Sequence, residues 1–286
     1  MNILLAAYEA APFYKRGGLG DVIESLPKAL SKIGIDVHVV IPYYNQIKEK
    51  YNLKKEGEFS VTFGSEAKRV GIYSSLLPDT HVPFYFLENE KYLSSSNPQG
   101  KNKRIDQFAF FNLAVVHFMR WATKHHKWTP VLVHCNDWHT ALVPLILRKK
   151  EKSLVPTLLT IHNLLYQGVG SLKVLDLLNM KDEETKEIKR GIPATEINVL
   201  GEGIIHATCV STVSRSYAKE IAQTDHNHSP ISPFLKKREE DHQTKKDGKI
   251  IGILNGIDYD VWNPAKDELI FHKFDINNWE IGKKDN

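Results

Sequence analysis

Residues 2–41 read NILLAAYEAAPFYKRGGLGDVIESLPKALSKIGIDVHVVI, and the order of patterns in this stretch decides the fold. Asn2–Tyr8 is a continuous apolar run, as expected of a strand buried on both faces. Glu9–Arg16 reads as a loop and Gly17–Gly20 as a glycine-rich turn. Leu19, Val22, Ile23, Leu26, Leu30 and Ile33 then recur at helical spacing, and Gly34 supplies the stop. Asp36–Ile41 is a second strand. Strand, helix and strand in this span make a βαβ unit, whose two strands run parallel.

Outward from that unit the rhythm breaks and then returns. Phe59–Phe63, Arg69–Leu76 and Pro83–Leu87 are short strands with partial alternation and read as an antiparallel insertion. Residues 94–103 form a polar loop before a long helix over Ile105–His126. Strand Val131–Cys135, helix Thr140–Arg148 and strand Thr157–Ile161 restore the α/β alternation. Leu172–Ile192 and Ile197–Ile205 read as helices, Thr208–Thr212 as a strand and Tyr217–Ala222 as a helix. Residues 224–248 read as a polar loop with one helical turn near Phe234, and Ile250–Leu254 as the last strand. The fold class is α/β: a Rossmann-like, doubly wound, mostly parallel sheet with a small antiparallel insertion. One domain is expected over 1–255, and 256–286 reads as a linker.

Composition narrows the function. The 38 basic and 34 acidic side chains leave a net charge of +4, too mild and too dispersed for a nucleic-acid partner. Glu9 interrupts the first apolar stretch, which argues against a signal peptide. The longest apolar run, Phe108–Met119, is far short of a membrane span and carries Asn112 and His117. Cys135 and Cys209 read as buried thiols in a reducing compartment. A cytoplasmic protein without membrane contact is expected.

In an open parallel sheet, ligands bind beyond the carboxyl ends of the strands. Those ends carry Lys15, Gly17, Gly18 and Asp21; Asp137 and His139; His162 and Asn163; Ser214; and Asn255. KRGGLGDV (15–22) is the sharpest motif. Its glycines permit close backbone approach, the following helix offers N–H groups to a phosphate, and Lys15 adds a positive charge. A departing diphosphate needs such a site, whereas the blander alternative is a tight turn with a solvated lysine. A dinucleotide fingerprint fails because Ile23 stands where the third glycine belongs and Pro42 where an acid should hold a ribose. No GK[ST] marks a P-loop.

HCNDWH (134–139) brings His134, Asp137 and His139 together, but strand alternation turns His134 away and no second metal motif accompanies it. No metal is expected. A sugar-contacting loop fits better, with Asp137 accepting hydroxyl hydrogen bonds and Trp138 either packed in the core or stacked on a ring. His162 reads as a contact to a sugar hydroxyl or, equally, as a capping or core histidine. Ser211 and Ser214 read as strand-end and helix-cap residues, since no nucleophile motif surrounds them.

EAAPFYKRGGLGDV, HCNDWH, TIHNLLYQG, TVSRSYAKEI and ILNGIDYDVWNP, in this order and spacing, resemble the bacterial glycogen synthases and plant starch synthases from Met1 to about Pro264. That resemblance implies the amino-terminal half of a GT-B fold. It implies retaining transfer of glucose from ADP-glucose (or UDP-glucose) to the non-reducing end of an α-1,4-glucan, with no further cofactor. By motif, Lys15 with Gly17 and Gly18 would bind the nucleotide-sugar donor. Asp137 and His162 would be the catalytic pair, and Asp21, His139 and Asn255 would contact glucose or glucan. A separate carboxy-terminal domain would supply the rest of the diphosphate site. Three positions depart from the family pattern: Gln107 where an arginine precedes Phe108, Gly201–Glu202 where a lysine is usual, and Asp225–Phe234, which lacks a tyrosine-glycine element. The alternative to an enzyme is a glucan-binding or regulatory module that kept the fold without turnover.

Overall fold

The computed structural model describes residues 1–97, 100–185, 195–222, 231–242 and 249–286. They form two compact units, Met1–Leu254 and Asn255–Asn286. The first begins with the expected βαβ unit: β1 (Asn2–Ala6), α1 (Gly18–Lys32) and β2 (Asp36–Pro42), followed by a short α2 (Asn45–Lys50). β1 and β2 are parallel, with Ile3 opposite Val37 and Leu5 opposite Val39. Alternation along β1 feeds both faces of the sheet. Ile3 and Leu5 join Leu19 and Ile23 in one core, while Leu4 and Ala6 enter the other.

β3 (Lys54–Phe63), β4 (Glu66–Leu76) and β5 (Pro83–Glu88) pair antiparallel in sequence. They do not stand apart, because β5 also pairs parallel with β2 and the three strands extend the main sheet. The 26-residue α3 (Lys101–His126) contributes buried residues from Ile105 to Ala122 to the larger core, as an apolar helix should. β6 (Leu132–Asn136) follows. Next come a 3₁₀ turn over Trp138–Thr140, α4 (Leu142–Leu145), a wider π turn over Ile146–Lys150, and β7 (Thr157–Ile161).

The sequence reading fails most clearly over 169–242. Instead of one helix from Leu172, the chain forms β8 (Val169–Ser171), α5 (Val174–Leu177) and α6 (Asp182–Thr185). The end of the expected helix lies outside the described residues. β9 (Glu196–Asn198) pairs antiparallel with β8 before α7 (Val199–His206) begins. β10 (Cys209–Thr212) and α8 (Arg215–Ala222) match their expectations, whereas the supposed polar loop contains an 11-residue α9 (Ser232–His242). Its anchors are Phe234, Leu235 and the buried Arg238. The guanidinium donates to the carbonyls of Ile204 (2.6 Å), Ala207 (3.0 Å) and Thr208 (3.2 Å), closing the end of α7. A polar count does not register an arginine used this way. β11 is reduced to Ile251–Gly252, and in the second unit α10 (Trp279–Asp285) forms where no element was expected.

Among the described residues the main sheet runs β11-β10-β7-β6-β1-β2-β5-β4-β3. From β1 the chain winds outward through β2 in one direction, and it returns through β6 on the other side. The switch point is therefore the crevice between the ends of β1 and β6, where a doubly wound sheet binds its ligand.

Candidate functional site

Three loops meet at that switch point. The loop after β1 is fixed from within by Glu9, which is fully buried. Its Oε2 accepts the amides of Arg16 and Gly17, the latter at 2.9 Å. Ala10 and Tyr14 bridge each other, and Ala11 donates to the Gly20 carbonyl at 3.0 Å. The loop thus enters α1 with Gly17 at its N-cap. The glycines do different jobs. A Cβ on Gly20 would fall 2.9 Å from Cγ of Lys15, so Gly20 makes room for the lysine stem, whereas a Cβ on Gly18 would meet nothing within 4 Å. Lys15 Nζ lies 2.7 Å from Asp21 Oδ1, so these two predicted contacts form a pair in this state.

The loop after β6 is wound around Thr140, whose hydroxyl accepts the Asn136 amide at 2.6 Å and donates to the Asn136 carbonyl at 2.9 Å. This clasp forces Asp137 to φ 56°, ψ −177°, a conformation that non-glycine residues rarely adopt. Its carboxylate then reaches the end of β7. Oδ1 accepts the amides of His162 (2.7 Å) and Asn163 (3.2 Å). Burial raises the Asp137 pKa to about 6; the two amides oppose the shift and the Glu9 charge adds to it.

His162 is held by a relay with a definite sense. Asn136 Nδ2 donates to the Ala6 carbonyl at 3.2 Å, so Asn136 Oδ1 must face His162 Nε2, 3.0 Å away. Nε2 therefore carries the proton and Nδ1 presents a lone pair. Burial lowers the ring to about 4, so it is neutral above that pH. The His139 ring stacks on Tyr8 with centroids 3.7 Å apart, and Nδ1 is buried without a hydrogen bond. Burial, then Arg104 and Arg16, hold its pKa well below the ordinary imidazole range. Asn112, a polar residue inside an apolar helix, accepts the Val143 amide (2.8 Å) and donates to the His139 carbonyl (2.7 Å).

Lys15, Gly17, Gly18, Asp21, Asp137, His139 and His162 all lie in the first unit, on loops linked through Tyr8 and Glu9; Asn255 opens the second unit. His134 points into the sheet, as alternation required, and bonds Thr160 Oγ1 at 2.7 Å, which in turn meets Ser211 at 2.8 Å. Trp138 is a core residue: Gly168, at φ 64°, lies so close that a Cβ there would come within 2.2 Å of its ring. Ser214 caps α8 by accepting the Tyr217 amide at 3.2 Å. Among the described residues no three His, Cys, Asp or Glu side chains are grouped to hold a metal. The sequence reading assigned nothing to Tyr8, Arg104 or Asn112. Only Asn112, a polar residue in a greasy run, left a signal.

The departures from the family pattern also have places. Gln107 is buried, with Nε2 donating to the Ser95 carbonyl. Gly201 lies under Phe234, whose ring would be 2.5 Å from a Cβ there, and the buried Glu202 sits 3.4 Å from His206. That patch is covered by α9 and is not an open acceptor surface. Residues 225–230 lie outside the described residues.

Residues 2–237 match the family described as starch synthase catalytic domain. The chain is 40% identical over 297 residues to the glycogen synthase of Caldicellulosiruptor saccharolyticus, covering all of this chain and 58% of that protein. It is 38% identical to the glycogen synthase of Clostridium novyi, over 98% of this chain and 57% of that one. Its fold matches the catalytic domain of starch synthase IV from Arabidopsis thaliana, a structure bound to ADP and acarbose. The TM-score is 0.79 at 27% identity, over 96% of this chain and 55% of that one. The chain thus spans somewhat more than half the length of these relatives.

Proposed function

The chain belongs to the starch synthase catalytic-domain family, and from that premise we propose that it forms the amino-terminal half of a GT-B glucosyltransferase of glycogen or starch synthesis. Glucose passes from a nucleotide sugar to the non-reducing end of an α-1,4-glucan. The bond from the sugar's anomeric carbon to the diphosphate breaks, and the acceptor hydroxyl oxygen takes that carbon and gives up its proton. ADP-glucose is the favoured donor, supported by the ADP and acarbose in the Arabidopsis neighbour.

The residues divide the work. The glycine loop and Lys15 receive the diphosphate, with Lys15 exchanging Asp21 for the ligand's charge. Asp137 and His162 form the wall beside the sugar, where Asp137 accepts hydroxyl hydrogen bonds and the lone pair of His162 Nδ1 accepts another. His139 and Asn255 contact glucose or glucan. The opposing wall comes from a carboxy-terminal domain, a reading supported by the greater length of the relatives. The cytoplasm is the expected compartment; among the described residues no helix is long and apolar enough to cross a membrane.

One observation carries this reading: a strained aspartate, held to the histidine loop by two amides, stands at the switch point beside the glycine loop that follows Lys15. The test is a chimera in which this chain replaces the matching part of the C. saccharolyticus glycogen synthase. Labelled glucose should pass from ADP-glucose to maltooligosaccharide, while residues 1–286 expressed without the rest of that synthase should turn over negligibly. A folded chimera that transfers nothing would sink the assignment. Robust turnover by the chain alone would remove the need for a second wall.

A further inference from the structure

Glu9 is a fully buried carboxylate beside the site, and no role has been given to its charge. It stands two residues before Ala11, on the turn out of β1, with no exposed surface. One oxygen holds two consecutive amides of the glycine loop, those of Arg16 and Gly17. The other, Oε1, is sealed from solvent. It faces Gly17, where a Cβ would stand 3.5 Å from it. A carboxylate is costly to bury, and a glutamine of the same shape could still accept both amides, though less strongly than a charged acceptor. Shape alone therefore does not account for the charge.

The charge acts on its neighbours. Tyr8 precedes it, and the phenol ionises less readily because of burial and then because of Glu9. Glu9 also disfavours ionisation of Tyr44, whose hydroxyl donates to the Tyr8 carbonyl from the loop after β2, and of Asp137 across the switch point. The other groups facing this cluster are Tyr14 beside Tyr44, the Arg16 guanidinium from the glycine loop, Arg104 from α3, the neutral His139 ring stacked on Tyr8, and the His162 and Asn163 amides at Asp137.

We propose that Glu9 is a positioning residue that couples the glycine loop to the loop of Asp137: its carboxylate holds the Arg16 and Gly17 amides, and Tyr8, its neighbour in the chain, stacks on His139 two residues from Asp137. The proposal rests on the reading of both loops as one transfer site. It explains why an acid is used where an amide would fit: the loop that receives a diphosphate and the aspartate beside the sugar share one buried charge.

Glu9→Gln separates the two roles, because its amide oxygen can still accept both N–H groups while the charge is gone. In the isolated chain, ¹³C-carboxyl NMR follows Asp137, with the signal identified by its loss in Asp137→Asn. In E9Q the Asp137 midpoint should move measurably to lower pH, while the Arg16 and Gly17 amides keep their protection from hydrogen exchange. In Glu9→Ala that protection should fall. In the chimera, E9Q should shift the acid limb of kcat to lower pH with donor KM within about twofold, and E9A should raise donor KM about tenfold. An unmoved Asp137 midpoint in folded E9Q would overturn the coupling, and full protection of both amides in folded E9A would overturn the brace. Should E9A fail to fold, E9Q decides alone. The NMR titration needs no turnover, so its failure is distinct from failure of the chimera to transfer glucose.

Discussion

The β3–β4 hairpin and the rim where β1, β6 and β7 end both concentrate charge, and they handle it in opposite ways. Along the hairpin, Lys54 pairs with Glu56, Lys55 with Glu58 at 3.0 Å, Lys68 with Glu66, and Arg69 with Glu58 at 3.5 Å. These charges are mostly solvated, and Lys55 holds the Glu58 carboxyl below its usual range. At the rim, Asp137, His139 and His162 are withdrawn from water and each is shifted toward its neutral form, chiefly by burial. Hairpin charges cost little and discourage pairing at an exposed sheet edge. Rim charges are expensive, and a fold keeps expensive groups where a ligand will use them.

The sharpest attempt to break this contrast is Asp137→Asn. In the chimera it should cut transfer by about 10³-fold, because a carboxylate aimed at the reacting sugar is lost. The same change should stabilise the chain at neutral pH. A carboxyl whose pKa rises to about 6 on folding contributes stability that is full below about pH 4 and lost as pH climbs through 6. Removing it should therefore gain roughly 2–3 kcal/mol at pH 7 and almost nothing near pH 4. Urea unfolding at the two pH values reads the difference. Equal effects at both would mean that Asp137 is not the burdened group described.

The histidines give the next largest effect, with the opposite sign. His134 and His162 are both lowered to about 4. A depressed imidazole supports folding above about pH 6.5, and that support is lost as pH falls through 4, on the order of 3 kcal/mol for each ring. Three sites thus compete between pH 6.5 and 4, with two rings opposing one carboxyl. The unfolding midpoint should decline across that window, and more steeply in Asp137→Asn, which lacks the compensating group. A flat profile would put water, rather than protein, around these rings.

How much of this was legible beforehand follows from the kind of interaction. The βαβ unit over 2–41 was readable because apolar periodicity is a local property, and the rim loops could be placed by following each strand to its end. Lys15, Asp137 and His162 were named from motifs, and the loops that bear them do meet. The pairing of Lys15 with Asp21 and the bracing by Glu9 were not readable, since both depend on how a loop folds back on itself. Arg238 is the clearest failure. It sits in a run of charges, and only the carbonyls at the end of α7, 30 to 34 residues earlier, make it a core residue.

Gly168 tests the rim's packing rather than its charge. Its φ of 64° and the Trp138 ring beneath it leave no room for a methyl group, so Gly168→Ala should cost roughly 2–3 kcal/mol. Transfer in the chimera should fall with it, because Trp138 follows Asp137 directly. A variant that keeps its stability would show that the Trp138 ring can yield.

The smallest expected effect lies on the hairpin, and it closes the contrast from the other side. Glu58 accepts from Lys55 and meets Arg69, so a drawing of contacts makes it look more important than Asp137. Its carboxyl is solvated, however, and both partners are long, mobile cations that water serves almost as well. Glu58→Gln should leave the melting midpoint within about 1–2 °C of the parent, and added salt should erase even that difference. If the midpoint instead fell by many degrees and stayed low in salt, the hairpin charges would be bearing structural weight. The distinction between solvated charges that guard an edge and buried charges that serve a site would then fail at the residue where it ought to hold best.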